Sequence, residues 1–460
     1  MRRVPFSLFA GASCWLILLS PALAQPVWKQ RALELLDRGR VQEARTLLLE
    51  TLGREAGNEE AQALLGQIAF TQRDFREAAR RYSKAPSVLR ANPLWLVNYA
   101  EALLENKQAG AAKRVLESVP ADNAVAQFET GLLLSRFGEY AAGERHFELA
   151  LAGYPDRSAA AYNLAFVQYL LGKHTDCADT LENMPQRYKT GDVFNLLALA
   201  YLELEEFQKA WRILQQATRD YPGDERNYVA IARMATEAAM SPSVALDFLD
   251  RGLVHLPNSH ALHIQRGYLK LSQGRYREAA ADYEKAIRLQ PNSAVARLGL
   301  AFVLVEAQRH DEATVLLEQA LREDPANFYA HYLLGDIGMT QGSRPGTPAE
   351  ARSLRHLQQA TALKSDFVLA RISLGKLYLK RNDLDSAIRE LETSIRLDPQ
   401  ATTAYYQLSI AYRKAGKKEK ALAALQQVRR LNREERKLGT DRFLYRKLKR
   451  GAAQLYTPAR

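Results

Sequence analysis

The sequence predicts an all-α fold of stacked helix-turn-helix repeats, about twelve in number. Three prolines, Pro257, Pro291 and Pro325, follow one another at intervals of 34 residues. Glycine, alanine and large apolar residues return at fixed positions within the same period. The chain has 460 residues, 47% of them hydrophobic and 25% charged, so it is folded and too long for one core. A repeat array meets all three observations.

The amino-terminal segment differs from the rest of the chain. Arg2 and Arg3 precede an apolar run from Val4 to Leu19, and the small residues at positions 22 and 24 suit a signal peptidase. We expect residues 1–24 to be a signal peptide that is cleaved after Ala24, which predicts a periplasmic or secreted protein. An uncleaved inner-membrane anchor and lipidation at Cys14 are the alternatives.

The phase of the repeat is clearest in residues 260–293. Its characteristic residues, at positions 8, 15, 17, 20, 24, 27 and 32, are Gly267, Gly274, Tyr276, Ala279, Tyr283, Ala286 and Pro291. Related residues occupy the same positions in 59–92, 124–157 and 368–401. The phase therefore holds over well-separated parts of the chain.

Each position has a physical reason. Glycine or asparagine at position 15 suits the left-handed residue that ends a first helix. Those residues are Gly138, Gly172, Gly274, Asn382 and Gly416. Small residues at 8, 20 and 27 let two antiparallel helices approach, and large residues at 17 and 24 fill the space beside them. Proline at 32 ends the second helix, since it lacks an N–H and disfavours helix in the residue before it.

These residues resemble the tetratricopeptide repeat. The resemblance implies a right-handed superhelical solenoid over residues 25–435, followed by a basic capping helix or tail over 436–460. The repeats are expected at 27–57, 59–92, 93–123, 124–157, 158–188, 191–223, 224–258, 260–293, 294–327, 328–367, 368–401 and 402–435. Six extra residues near 342–348 lengthen the turn inside one repeat.

The resemblance also implies a groove lined by the first helices, at positions 2, 5, 6, 9, 12 and 13. The aromatic and amide residues at those positions are Tyr162, Asn163, Phe166, Tyr169, Asn195, Tyr268, Phe302, Tyr332, Tyr406 and Gln407. Stiff aromatic surfaces and amides suit a stretched peptide or an amphipathic helix of a protein partner. The alternative is that these rings fill the core between repeats. Neither the partner nor the oligomeric state follows from the sequence.

Basic residues are concentrated at the carboxyl end. From Tyr412 to Arg460 there are 16 basic and four acidic residues. In the expected cap, Arg442, Arg446, Lys447, Lys449 and Arg450 point away from the array. This cluster is either a solvated face or a patch for anionic lipid head groups, acidic polymer or an acidic protein. Nucleic acid is not expected for an exported chain.

The chain lacks the sequence motifs of common enzymes. No nucleophile elbow, zinc helix, phosphate loop or dinucleotide fingerprint occurs in it. His255, His260 and His263 form the one local histidine group, without a carboxylate or cysteine at ligand spacing. We therefore expect no enzyme activity, metal or cofactor.

Two functions follow from these patterns. The first is a non-catalytic interaction scaffold of the bacterial cell envelope, as an accessory subunit of a secretion, pilus, polysaccharide-export or outer-membrane assembly system. The alternative is a peripheral envelope protein that binds an anionic surface or polymer through its basic tail.

Overall fold

The computed structural model describes residues 26–237, 241–341 and 345–438. Within these residues the chain forms 25 α-helices and one 3-10 turn, Gln186–Tyr188, and no strand. The predicted all-α fold is thereby confirmed. The expected signal peptide and the tail residues Arg442, Arg446, Lys447, Lys449 and Arg450 lie outside the described residues. None of the described helices has the length and apolar character needed to span a membrane.

Short turns join the helices in antiparallel pairs, and the chain divides into two compact units between Ala210 and Trp211, inside helix α13. The helices of the first unit are α1 (Val27–Asp37), α2 (Val41–Arg54), α3 (Glu59–Thr71), α4 (Phe75–Tyr82), α5 (Pro86–Ala91), α6 (Pro93–Glu105), α7 (Ala109–Leu116), α8 (Ala124–Arg136), α9 (Tyr140–Leu151), α10 (Arg157–Leu170), α11 (His174–Glu182) and α12 (Gly191–Glu203).

Helix α13 (Phe207–Asp220) spans the division, and the second unit follows it. The helices of the second unit are α14 (Glu225–Glu237), α15 (Pro242–His255), α16 (His260–Ser272), α17 (Tyr276–Leu289), α18 (Ala294–Glu306), α19 (His310–Glu323), α20 (Phe328–Thr340), α21 (Pro348–Leu363), α22 (Val368–Lys380), α23 (Leu384–Leu397), α24 (Thr402–Lys414) and α25 (Lys418–Leu438).

In the turns that the structure describes completely, one residue between the two helices of a repeat is left-handed. All five glycines and asparagines predicted for this role have positive φ, from +61° at Asn382 to +84° at Gly138. Four further turns place ordinary side chains there: Arg73, Lys107, Glu205 and Gln308, with φ of +59° to +62°. A left-handed conformation costs such residues about 1–2 kcal/mol, so packing of the two helices enforces it.

The ends of the second helices follow the prediction for position 32. Helix α17 ends at Leu289, and Gln290 takes an extended conformation (φ −137°, ψ 91°) before Pro291. The next first helix then begins with a side-chain cap. Ser293 Oγ accepts a hydrogen bond from the N–H of Ala296, which satisfies one of the free donors of α18.

The small residue at position 8 and the large residue at position 24 meet inside a repeat. A Cβ atom added to Gly66 would lie 2.7 Å from Cδ1 of Tyr82, and one added to Gly375 would lie 2.6 Å from Cγ of Leu391. Tyr82 and Leu391 are fully buried. Close approach of the paired helices therefore depends on the missing side chain.

A polar bridge recurs at position 4 of the first helix, where the sequence pattern did not predict one. Arg371 donates from Nε to the carbonyl oxygen of Ser365 at 2.8 Å and from Nη1 to Glu390 at 2.7 Å. The same side chain thus binds the turn that precedes its repeat and position 23 of the repeat, which lies on the second helix. It gives a partner to a carbonyl that the helical ladder leaves unpaired.

The bridge is built from different side chains in other repeats. His263 contacts the Pro257 carbonyl oxygen at 3.2 Å and Asp282 Oδ1 at 3.3 Å. His331 contacts the Pro325 carbonyl oxygen at 3.1 Å. The geometry is constant while the chemistry varies, so the bridge holds the two helices and the preceding turn in one arrangement.

Candidate protein-binding face

The first helices of successive repeats lie side by side within each unit. Helices α6, α8 and α10 are consecutive neighbours in the first unit, and α16, α18, α20, α22 and α24 are consecutive neighbours in the second. We call the side of these helices that carries positions 2, 5, 6, 9, 12 and 13 the first-helix face. It is the candidate binding site, because the second helices cover the opposite side.

In the first unit this face carries an aromatic stripe on α10. Tyr162, Phe166 and Tyr169 are half-buried. The rings of Tyr162 and Phe166 are stacked, with centroids 6.4 Å apart and planes inclined by 15°. Tyr169 packs edge-on against the imidazole of His174 at 5.1 Å. Residues spaced by three and four on one helix share a face, so the three rings form one partly accessible apolar surface.

Two predicted amides flank the aromatic stripe. Asn163 donates from Nδ2 to the carbonyl oxygen of Ala159 in its own helix at 2.8 Å. That bond uses one of the two amide N–H donors and none of the acceptor capacity of the amide oxygen. Asn195, on the neighbouring repeat's helix α12, is half-buried.

Acidic groups lie on α6 and α8, the first helices that precede α10. Burial and the charge of Glu101 raise the pKa of the Glu129 carboxyl, and the charge of Arg136 opposes the rise. Arg136 also pairs with Glu101, with Nη2 and Oε1 2.5 Å apart. The first-unit face therefore combines rings with carboxylates. The sequence reasoning missed these carboxylates because it selected only aromatic and amide residues.

The predicted rings of the second unit differ in how deeply they are buried. Tyr268 is 5% exposed. The ring of Tyr332 meets that of Phe367 edge-on at 5.1 Å, and burial raises the pKa of its phenol well above the ordinary value. Phe302 is half-buried, with its ring 6.5 Å from that of Tyr329. Tyr268 therefore serves as packing, whereas Phe302 and Tyr332 are half-buried like the rings of α10.

The predicted residues on α24 are more accessible. Tyr406 is 49% exposed, and Gln407 next to it is half-buried. Tyr406 is thus the predicted aromatic residue of the second unit that offers most of its surface to a partner.

Four basic residues on the same face were not among the predicted site residues. They are Lys376 and Lys380 on α22 and Arg413 and Lys414 on α24. Neither helix contains an aspartate or glutamate. The absence of acidic residues from these two segments is visible in the sequence. The charge of each first helix, counted separately, is the signal that indicates the basic cluster.

Comparison with known proteins decides the nature of the repeat. One family model, described as tetratricopeptide repeat, matches residues 270–342, and a second with the same description matches residues 29–87 and 372–435. The chain contains tetratricopeptide repeats. Their presence supports the sequence resemblance in both compact units.

Curated relatives match part of the chain. DnaJ homolog subfamily C member 3 of Rattus norvegicus is 28% identical over 218 residues, which cover 47% of the chain and 38% of the relative. The Mus musculus protein of the same name is 30% identical over 193 residues, 38% of the chain and 37% of the relative. The chain therefore spans less than two fifths of the length of these relatives.

Solved structures that match the chain include MamA and yeast Tom70. MamA is 23% identical, with a TM-score of 0.32, and the match covers 37% of this chain and 96% of MamA. Tom70 is 14% identical, with a TM-score of 0.41, and the match covers 92% of this chain and 98% of Tom70.

Two findings concern metal ligands and the thiol among the described residues. Among the described residues, no group of three or more histidine, cysteine, aspartate or glutamate side chains could hold a metal ion. The thiol of Cys177 is fully buried on α11, and burial raises its pKa to about 12. A thiol in that environment is a poor nucleophile, since the thiolate is the reactive form.

Proposed function

We propose that this protein is a non-catalytic interaction scaffold of the bacterial cell envelope, which binds an extended peptide or a helix of a protein partner on its first-helix face. The observation that supports the proposal best is the stacked pair of Tyr162 and Phe166 on α10. Both rings are half-buried, so they are rigid and still offer surface to a partner. Aromatic side chains held in this way are typical anchors of protein interfaces.

The chemistry around the two rings favours a protein ligand. Asn195 is half-buried on the adjacent α12, and an amide can pair with both the donor and the acceptor of a peptide group. An extended peptide or an amphipathic helix could place apolar side chains on the rings and polar groups toward the amide. The proposed role is that of an accessory subunit in a secretion, pilus, polysaccharide-export or outer-membrane assembly system.

Export is part of the proposal and depends on residues 1–24. Their basic start, apolar run and small residues at 22 and 24 are typical of a secretory signal. The scaffold would then act in the periplasm or outside the cell. Peripheral binding to an anionic surface through the basic tail is the second candidate, supported by the 16 basic residues between Tyr412 and Arg460.

Crosslinked affinity purification from intact bacterial cells, followed by mass spectrometry, tests the proposal. Tyr162→Ala/Phe166→Ala should lose the main captured envelope protein, with little dependence on salt. Tyr188→Ala/Phe137→Ala is the matched control, because these two aromatic residues of the same unit are exposed and lie off the face. The same spectra read the amino terminus, which should be Gln25 after cleavage.

A truncation after Leu438 separates the two candidates. The scaffold should retain its partner without the tail, since the first-helix face is intact. If the captured material is lipid or acidic polymer and disappears with the tail or at moderate salt, the surface-binding function replaces the scaffold. Equal capture by the wild type and the Tyr162→Ala/Phe166→Ala variant would contradict a role for α10.

A further inference from the structure

The first helices of the last two repeats carry only positive charge. Helix α22 contains Arg371, Lys376 and Lys380, and α24 contains Arg413 and Lys414. Neither helix has an acidic residue. By contrast, α6 of the first unit contains Glu101 and Glu105 and no basic residue. The first helices at the end of the second unit therefore differ in the sign of their charge from α6 of the first unit.

Contacts fix the orientation of the two lysines at position 13. Lys380 Nζ donates to the carbonyl oxygen of Met339, at the end of α20, at 3.1 Å. Lys414 Nζ donates to the carbonyl oxygen of Leu379, at the end of α22, at 3.5 Å. Each lysine thus reaches back over the preceding first helix, where the helix dipole favours a cation. Both ammonium groups lie along the first-helix face.

The remaining cations follow from helical spacing. Lys376 precedes Lys380 by one turn on α22, and Arg413 lies next to Lys414 on α24. Residues three or four apart share a helix face, so the four cations form one cluster over two neighbouring helices. Arg413, Lys414 and Lys380 are exposed, and Lys376 is half-buried.

In the described part of the chain, none of these four cations pairs with a carboxylate. The other basic residue of α22, Arg371, is bound to Glu390 of α23, so it belongs to a position-4 bridge. The acidic residue of α20 nearest to the cluster by position is Asp336. Its Oδ1 accepts a hydrogen bond from the neutral Ser373 Oγ at 2.9 Å, so this carboxylate keeps its own charge. The four cations outweigh it, because four positive charges and one negative charge sum to +3.

An apolar and amide surface lies among these charges. Tyr406, Gln407 and Ile410 precede Arg413 on the same side of α24. Tyr406 is 49% exposed, and Gln407 and Ile410 are half-buried. A peptide can use such a surface in three ways: an apolar side chain packs on the ring, the amide pairs with its backbone, and its carboxylates meet the cations.

We propose that the first-helix face of α22 and α24 binds an acidic peptide segment, with an apolar residue on Tyr406 and carboxylates on Lys376, Lys380, Arg413 and Lys414. The inference rests on the proposed scaffold function and names the chemistry of one partner segment. Charge complementarity decides the class of segment, because a basic peptide would place like charges together at a cost. Internal side-chain carboxylates are sufficient for this arrangement, so a free carboxyl terminus is not required.

Fluorescence anisotropy with the purified full chain tests the inference. The probe is a labelled peptide of alternating glutamate and leucine, blocked at both termini, and its counterpart has lysine for glutamate. The acidic peptide should bind and the basic one should not. Lys376→Glu/Arg413→Glu should weaken binding by about tenfold or more, and added salt should weaken it further.

Arg389→Glu/Arg396→Glu is the matched control, with the same change in charge on the second helix α23. Both arginines are exposed, and their guanidinium groups bond to Ser386 and Thr393 rather than to carboxylates. The control variant should bind the acidic peptide as the wild type does. Equal loss in both variants would mean that net charge alone governs binding, and it would overturn the proposed site.

Two further ligands distinguish a failure of this inference from a failure of the proposed scaffold function. Anionic phospholipid vesicles and a single-stranded oligonucleotide are tested with the same variants. If the cluster on α22 and α24 binds the vesicles or the oligonucleotide more tightly than the acidic peptide, the inference is overturned. The capture of a partner on α10 is not affected by that result. Loss of capture in the Tyr162→Ala/Phe166→Ala experiment is a separate result, which tests the scaffold function itself.

Discussion

The ring of Tyr283 lies directly against Gly299 in the next repeat. A Cβ atom added to Gly299 would lie 2.5 Å from Cζ of Tyr283, closer than real side chains approach. The same ring contacts Gly267 in its own repeat, where an added Cβ would lie 3.3 Å away. Tyr283 is fully buried. One side chain therefore sets the spacing both within its repeat and to the following one.

Gly299→Ala should destabilise the second unit. Alanine gains up to about 1 kcal/mol of helix propensity, but overpacking a fixed core costs about 1–3 kcal/mol. We expect a net loss of about 1 kcal/mol, since the buried ring has no space to move into. Hydrogen exchange should show reduced protection of α17 and α18.

Gly110→Ala is the control for this substitution. Gly110 lies on α7, and an added Cβ would meet nothing within 4 Å. Alanine should there stabilise the helix by about 0.5 kcal/mol. Unchanged protection in Gly299→Ala would show that the Tyr283 ring can shift after all.

Lys107→Gly should stabilise the first unit. Lys107 occupies the left-handed position between α6 and α7 with a φ of +60°, and its side chain is exposed. Glycine removes a steric cost of about 1–2 kcal/mol and adds chain entropy to the unfolded state, for a net gain of about 0.5–1 kcal/mol. The measurement is the midpoint of unfolding in urea, monitored by circular dichroism.

Lys113→Gly provides the matched control, because Lys113 is exposed on helix α7 itself. Glycine there should cost about 1 kcal/mol. A lower midpoint in Lys107→Gly would show that the lysine makes a contact worth more than its backbone strain.

We expect the histidine His356, which lies against His331, to make the second unit sensitive to acid. His331 Nε2 must carry a hydrogen, since its partner, the Pro325 carbonyl oxygen, only accepts. His331 Nδ1 lies 2.9 Å from Nδ1 of His356, so one of these atoms donates to the other. Burial, the His331 imidazole and the nearby Arg355 and Arg352 lower the pKa of His356. A doubly protonated pair would place two N–H groups face to face.

The lowered pKa of His356 determines how the free energy of unfolding depends on pH. A histidine with a folded-state pKa below its unfolded value of about 6.5 binds fewer protons in the native state. Its contribution to the free energy of unfolding is present above about pH 6.5 and is lost as the pH falls through the lower folded-state pKa. The urea midpoint should therefore fall between about pH 7.5 and about pH 5.5, and less so in His356→Gln.

His255→Gln serves as the control, because His255 is exposed at the end of α15. It should keep the pH dependence of the wild type. The same pH dependence in His356→Gln as in the wild type would remove the histidine pair as its source.

The repeat pattern predicted local features that depend on one or two residues. Gly138 and Asn382 have positive φ as their residue types required, but Lys107 does so too and carries no such signal. The two helices beside Lys107 are held by burial of their apolar faces, and that energy exceeds the local cost of the turn. Position 4 is a similar case, since only the folded chain shows what Arg371 and His331 contact.

The sequence named the aromatic and amide residues of the candidate site but did not determine how accessible each one is. Tyr268 and Tyr406 are both tyrosines at positions predicted for the first-helix face, yet Tyr268 is 5% exposed and Tyr406 is 49% exposed. Helical periodicity places both on the first helix but does not say how closely the neighbouring repeat approaches each ring.

The sequence by itself determined the all-α class, the 34-residue period, the helix ends at prolines and the left-handed turns at glycine and asparagine. These features depend on steric limits and hydrogen-bonding capacity within a few residues of the chain. The tertiary structure decided which rings stay open, which cations lack a carboxylate, and how Tyr283 sits between Gly267 and Gly299. These depend on contacts between helices far apart in the chain, where side-chain volume and the partner helix together set the outcome.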